Sequence, residues 1–292
     1  MRPVKLSAAT TVDMTREYFD ENDILLIPTI IIIDGEEYAD DYEQITPRFL
    51  YDKIREGKLP TTSGNGTMDY YENWKKIVED GYDIVHIDLS SGLSGTYNSA
   101  VMAADMIEDE VGEKRVYVPD TLAASSGEGL ILDYANDLKN EGKSASEIYD
   151  CILKDRMKVN HWFTLSDFSH LFRGGRVSKT KMILGSALNI YPIMRMDING
   201  KLVQKKNTRG SKKAFKTLVD IMEKRADGGK DYNKKVFISH SDYIDGAKEI
   251  EKLIEERFAN VKSIEIFDIH QIGVHTGPGT VSLFFWGEER ID

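Results

Sequence analysis

The sequence predicts an α/β protein: an N-terminal three-layer domain on a parallel sheet, then an α+β domain with a partly antiparallel sheet, and a ligand between them. Three observations carry that prediction. Up to about residue 157, short β-branched runs alternate with helical patterns, the signature of a parallel sheet covered on both faces. Near Asn160 the order changes, and strands over 192–196 and 201–209 flank Asn199-Gly200, a strong hairpin signal. Three stretches rich in Gly, Ser and Thr follow strands or open onto helices, where parallel sheets bind ligands. The spacing divides the chain into residues 1–159 and 160–292.

Taken in order, residues 4–7 form a first short strand, and Thr11-Val12-Asp13-Met14 leads into a helix. Residues 23–33 read as one β-branched strand ending in the turn signal Asp34-Gly35. Thr46-Pro47 starts a helix to about Glu56, with proline at the first helical position. Residues 59–67 form the first hydroxyl and glycine loop, opening onto a helix with Tyr70, Tyr71, Trp74 and Ile77. The central unit follows: a buried strand over 82–89, the loop Ser90-Ser91-Gly92-Leu93-Ser94-Gly95-Thr96, and a helix with Tyr97, Ala100, Val101, Ala104 and Ile107 at helical spacing. A strand over 115–118 precedes the third loop, Asp120-Thr121 with residues 125–129, and helices over 130–138 and 144–157.

The second half begins with a strand over 161–165, a short helical stretch over 168–172 and Arg173-Gly174-Gly175-Arg176-Val177-Ser178. After the hairpin come a helix over 215–225, a turn over 226–231, a strand over 236–240, a helix over 247–258 and a strand over 263–269. A glycine-bordered turn from Gly273 to Gly279 contains His275, and a last strand covers 281–286. There is no internal repeat and no low-complexity segment.

The 292 residues suggest two domains, and 41% apolar with 30% charged residues is ordinary for a globular protein. A single cysteine, Cys151, argues against a disulfide framework or a zinc cluster and fits a reducing cytoplasm. The start lacks the order of a signal peptide, and the longest apolar run, 24–33, is broken by Pro28 and too short to span a bilayer. The net charge of −11 argues against nucleic-acid binding. From Leu171 to Lys216, however, twelve Lys or Arg stand against one acid, Asp197, which leaves −22 on the rest of the chain. Such a basic island can attract an anionic ligand, a phosphate donor or an acidic partner surface.

The loop after the central strand has three readings: a capped helix with no ligand, a nucleophilic serine, or a seat for a carboxylate or phosphate. Gly92-Leu93-Ser94-Gly95 misses the G-x-S-x-G elbow by one residue. Glycines that let the backbone approach, free hydroxyls and a helix N-terminus favour the anion seat. There is no Walker A run and no G-x-G-x-x-G opening a helix, and six histidines show no metal-ligand spacing. His86 lies within a strand and reads as a core histidine, whereas His275 could equally serve a turn or a ligand. Arg173 and Arg176 flank two glycines, either as solvated charges or as a guanidinium pair suited to bidentate anion binding.

The chain resembles the DegV family, bacterial fatty-acid-binding proteins that include the acyl-carrying subunit of fatty-acid kinase. The likeness covers nearly the whole length. It rests on Thr61-Thr62-Ser63, the run from Leu89 to Tyr97, Arg173-Gly174-Gly175-Arg176-Val177-Ser178, Gly185-Ser186, Leu188-Asn189-Ile190-Tyr191-Pro192-Ile193, Arg209 with Lys212-Lys213-Ala214, and His275-Thr276-Gly277-Pro278-Gly279. Two departures are visible: Ser7-Ala8-Ala9-Thr10-Thr11 stands where the family usually has an Asp-Ser pair, and Gly64-Asn65 replaces the common Gln-Pro.

The resemblance implies a long-chain fatty acid buried between two domains. Its carboxylate would be held by Thr62, Ser63, Ser94 and Gly95 with His275 close by, and Arg173, Arg176 and Arg209 would face a partner kinase or the phosphoryl group. It also implies a cytoplasmic carrier with no catalytic residues, cofactor or metal, no nucleic-acid partner, and at most transient membrane contact. The partner kinase would supply the ATP chemistry. The physics is compatible: burying an acyl tail gains roughly 0.8 kcal/mol per methylene, about 10 kcal/mol gross for a common chain. Removing the carboxylate from water costs several kcal/mol unless donors replace its hydration. An autonomous hydrolase using Ser94 and His275 is the alternative, and it lacks a visible acid partner. A regulatory lipid sensor is a third class.

Overall fold

The computed structural model describes residues 2–177 and 189–291, so Ser178, Gly185, Ser186 and Leu188 of the motifs above lie outside the described residues. The chain opens with β1 (Val4–Ala9), α1 (Arg16–Glu21) and β2 (Leu25–Ile27), then β3 (Ile30–Ile33) and β4 (Glu36–Ala39). The single strand expected over 23–33 is therefore two strands, and they lie in different sheets. Pro28 has no N–H to give a ladder, and the Thr29 N–H donates to Thr10 Oγ1 at 3.0 Å instead of to a neighbouring strand. Asp34 (φ 54°) and Gly35 (φ 89°) then turn β3 into β4 with two positive φ angles, as tight hairpins require.

After α2 (Pro47–Arg55), the first hydroxyl loop contains a short strand, β5 (Thr61–Ser63), which pairs with β3 so that Thr62 faces Ile31. Next come α3 (Thr67–Glu79), β6 (Asp83–Ile87), α4 (Thr96–Val111) and β7 (Val116–Tyr117). Strands β2-β1-β6-β7, in that order, form the expected parallel sheet. Helices α3 and α4 cover one face of it through Tyr70, Trp74, Ala100 and Ile107.

The other face is covered by α5 (Ser126–Asn140) and α6 (Ala145–Asp155). Residues 126–129, expected as loop, are the first turn of α5. Two glycines sit in this helix because neighbours come too close for a side chain. A methyl group at Gly127 would overlap the His161 ring and stand 2.6 Å from Phe284 Cδ1; one at Gly129 would stand 2.7 Å from Met14 Sδ. A helix buried on one face shows an apolar stripe, but α5 is buried on nearly every side from Ser126 to Leu138.

The cause is a second sheet on its far side. Strands β8 (Val159–Thr164), β9 (Ile190–Met196), β10 (Leu202–Arg209), β11 (Lys235–His240), β12 (Ser263–Asp268) and β13 (Val281–Trp286) form it in the order β10-β9-β8-β13-β11-β12. All its pairs are antiparallel except β11 with β12. One core joins Leu6, Val85 and Ile87 of the parallel sheet, Leu130 and Ile131 of α5, and Phe237 and Phe284 of the mixed sheet. The outer face of the mixed sheet is covered by α8 (Ser211–Arg225) and α9 (Ile244–Glu255), and α7 (Ser169–Arg173) and α10 (Ile272–Thr276) pack on each other. The architecture is the mixed α/β one predicted, with a small antiparallel sheet, β4-β3-β5, added.

Candidate ligand site

The loop after β6 does two jobs. Its first residues hold the two sheets together: Ser90 Oγ donates to the Gly200 carbonyl at 2.9 Å, and a methyl at Gly92 would stand 2.8 Å from that same oxygen. The β9–β10 hairpin thus docks by its tip on the glycine of the loop. Ser91 is exposed and donates to Asp120 Oδ2 at 2.6 Å. Ser94 is left to face the interior.

Ser94 shares a cavity with Thr62, Arg176 and His275. The enclosed part measures about 120 Å³, within a concavity of about 960 Å³ that includes its open mouth. Leu93, Phe163, Leu171, Met196, Leu202 and Ile272 supply apolar lining from both halves of the chain. Drug-sized sites commonly span ~300–1,000 Å³, so a long chain fills the enclosed part only by displacing some of these side chains. The two hydroxyl loops face each other: a methyl at Gly64 would stand 2.5 Å from Thr96 Cγ2 and 3.8 Å from Ser94 Oγ.

At the polar end, Thr62 Oγ1 and His275 Nε2 are 2.8 Å apart. His275 is on the short helix α10, not in an open turn, and its ring lies against the backbone of the Arg173–Arg176 turn. A methyl at Gly174 would stand 2.6 Å from His275 Nδ1, which explains a glycine there. Burial, then Arg176 and Arg173, push the His275 pKa down to about 4, so the ring is neutral at pH 7. Ser94 Oγ accepts from the Thr96 N–H at 3.3 Å and lies 3.2 Å from Thr96 Oγ1, which also reaches Asp88 Oδ1 at 3.1 Å. With Thr96 as its donor, Ser94 keeps its own proton for an acceptor in the cavity.

The remaining expected residues are placed differently. Ser63 points away from Thr62 along the strand; it is exposed and does not line the cavity. Gly95 is the residue before α4 and also does not line it. Arg173 is exposed and bonds His170 Nδ1 at 2.9 Å, while Arg176 lines the cavity and donates to the Gly174 carbonyl. Arg209 is exposed at the end of β10, outside the cavity lining. His86 is fully buried, as read, with Ser7 Oγ 3.0 Å from its Nδ1.

Sequence reasoning missed Thr11, Thr29, Ser125, His161 and Gln271 in the lining. Behind them two acids are buried. Burial raises the Asp13 pKa to about 7 although Ser125 Oγ donates to it at 2.6 Å, and it lifts Glu128, which accepts from Thr11 at 3.1 Å, well above the carboxylate range. Burial thus favours the uncharged form of Glu128, which reduces repulsion toward an anion in the cavity.

The His275 shift predicts a stability change with pH. Its folded pKa lies below the unfolded value of ~6.5, so the unfolded chain takes up the proton first. Its contribution to stability is full above pH 6.5 and falls as pH drops toward 4, by on the order of 2 kcal/mol after discounting for partial exposure. Urea unfolding of His275→Asn at pH 4.5 and 7 should show that much less acid destabilisation than the parent; equal slopes would contradict the assignment.

Among the described residues no cluster of His, Cys, Asp or Glu could hold a metal ion, and no helix is long and apolar enough to cross a membrane. Comparison with known proteins gives a consistent answer. The model of a family described as uncharacterised proteins of the DegV family matches residues 4–288. A DegV domain-containing protein of Clostridium perfringens is 34% identical over 292 residues, 99% of each chain. A DegV lipid binding protein from Thermotoga maritima is 30% identical with a TM-score of 0.84 over 99% of each chain. A DegV family protein from Ruminococcus gnavus, with vaccenic acid, is 29% identical with a TM-score of 0.86 over 96% of this chain and 99% of its own. DegV structures thus carry fatty acids as ligands.

Proposed function

Because the chain belongs to the DegV family, we propose that its cavity binds a long-chain fatty acid, with the carboxylate at the Thr62–Ser94–His275 end. The observation that carries this reading is the set of uncharged groups at one end of a mainly apolar cavity: two hydroxyls and a neutral imidazole. Such donors replace carboxylate hydration without a full counter-charge. Residues 1–159 supply the hydroxyl loops, and residues 160–292 supply His275 and the guanidiniums. Arg176, at the cavity, biases the site toward an anion.

In the finer form of the proposal, this chain is a cytoplasmic carrier without catalytic residues. A separate kinase transfers the terminal phosphoryl group of ATP to the bound carboxylate, giving an acyl phosphate and ADP. The exposed cations Arg173, Lys205, Lys206, Arg209, Lys212 and Lys213 support a docking face for it. Arg209→Ala, remote from the cavity, should leave fatty-acid affinity unchanged and slow phosphorylation by the kinase several-fold, more so at low salt. A loss of lipid binding in that variant would reverse the assignment.

A Ser94–His275 hydrolase gains no support from the geometry. His275 pairs with Thr62, no carboxylate bonds its ring among the described residues, and a pKa of about 4 makes it a weak base. Native mass spectrometry of the purified protein tests the main reading. A retained mass equal to a fatty acid, displaced by added fatty acid, is expected; a chain that neither retains nor takes up fatty acid would refute it.

A further inference from the structure

A second, smaller cavity adjoins the first. It measures about 10 Å³ within an envelope of about 180 Å³, near the space one water-sized particle needs. Asn160, Arg195, Arg225 and Arg290 line it, and His161 and Met196 line both cavities. Arg290 is only 5% exposed. Its terminal nitrogens donate to the carbonyls of Leu122 at 2.8 Å, Asp197 at 3.3 Å and Arg156 at 3.4 Å. The Arg195 terminal nitrogen donates to the Ile291 carbonyl.

The Nε–H groups of Arg195 and Arg290 are buried and have no partner among the described residues, and neighbouring Arg156 also has a buried Nε–H with none among them. None of these three arginines forms an ion pair with a carboxylate among the described residues. The nearby acids are engaged elsewhere: Asp197 Oδ1 accepts from the Asn199 and Lys201 N–H groups, and Asp120 accepts from Ser91. Asn160 Oδ1 already accepts from Trp162 and Arg225. Water could accept two N–H bonds, but Asp197 and Asp120, which partly offset Arg290, and Glu288, which pairs with Arg225, still leave the four arginines one positive charge in excess. An anion satisfies the donors and the charge together.

We infer that the Arg195–Arg290 cavity is a binding site for one small inorganic anion of chloride size. Its occupant and the lipid-cavity lining bear on the same two side chains, His161 and Met196.

Bromide is the probe. Crystals grown with sodium bromide in place of chloride should show an anomalous peak within hydrogen-bonding reach of both Nε atoms. Melting in sodium chloride should exceed melting in sodium gluconate at equal ionic strength. At ten times its Kd, chloride raises the folded-to-unfolded ratio roughly elevenfold. Arg195→Met should lose both the peak and that response. An ordered water with no anomalous signal overturns the inference whatever the melting curves show, and if Arg195→Met fails to fold, the parent bromide map decides.

Discussion

Replacing Ser94 with alanine is expected to weaken fatty-acid binding by roughly 1–3 kcal/mol, the usual cost of removing one partner from a buried, charge-assisted hydrogen bond. That is about fivefold to over a hundredfold in Kd, measured by titration with a fluorescent fatty acid. The same hydroxyl accepts from the Thr96 N–H in the turn that leads into α4, so alanine also removes a local side-chain-to-backbone bond worth ~1 kcal/mol of stability. Ser94→Asp separates the two roles. Its carboxylate can still accept from the Thr96 N–H but repels a bound carboxylate, so stability should survive while binding falls below that of alanine. If Ser94→Asp binds fatty acid as tightly as the parent, the headgroup sits elsewhere.

Gly127→Val should damage the fold strongly. Replacing a glycine in a helix interior normally stabilises by up to ~1 kcal/mol, and by less in the first turn, where Gly127 stands. Here the first added carbon already overlaps His161 and stands 2.6 Å from Phe284 Cδ1. Both rings are packed against α5 and line the cavity. Overpacking a closed core costs ~1–3 kcal/mol, and valine adds two further methyls and poor helix propensity. We expect a net loss of about 3 kcal/mol in urea unfolding, with the displaced rings narrowing the cavity. A variant as stable as the parent would mean that α5 has room on that side.

The alternation of strands and helices and the two loops carrying Thr62 and Ser94 were legible because their determinants are local: β-branched runs, turn residues, and hydroxyls beside glycines. What was not legible depends on neighbours distant in sequence. Nothing local distinguishes Gly127 and Gly129 in a helix from glycines in a loop; the reason for them is the approach of His161, Phe284 and Met14. Pro28 marks a break, but only the Thr10–Thr29 bond shows that the chain leaves one sheet for another there. Thr62 was identified and Ser63 was not separated from it, because strand alternation matters only once β5 is known to be a strand. The polar wall of Thr11, Thr29 and Ser125 has no motif at all.

The helix held between the two sheets also limits how a lipid reaches the interior. Swinging the halves apart like a clamshell would strip one whole side of α5 and expose the aromatic rings of β11 and β13 to water. Traffic would instead pass where α7 and α10 meet the two hydroxyl segments, beside the residues that line the cavity. On the proposed function, loading would then require motion of small side-chain groups around a fixed frame.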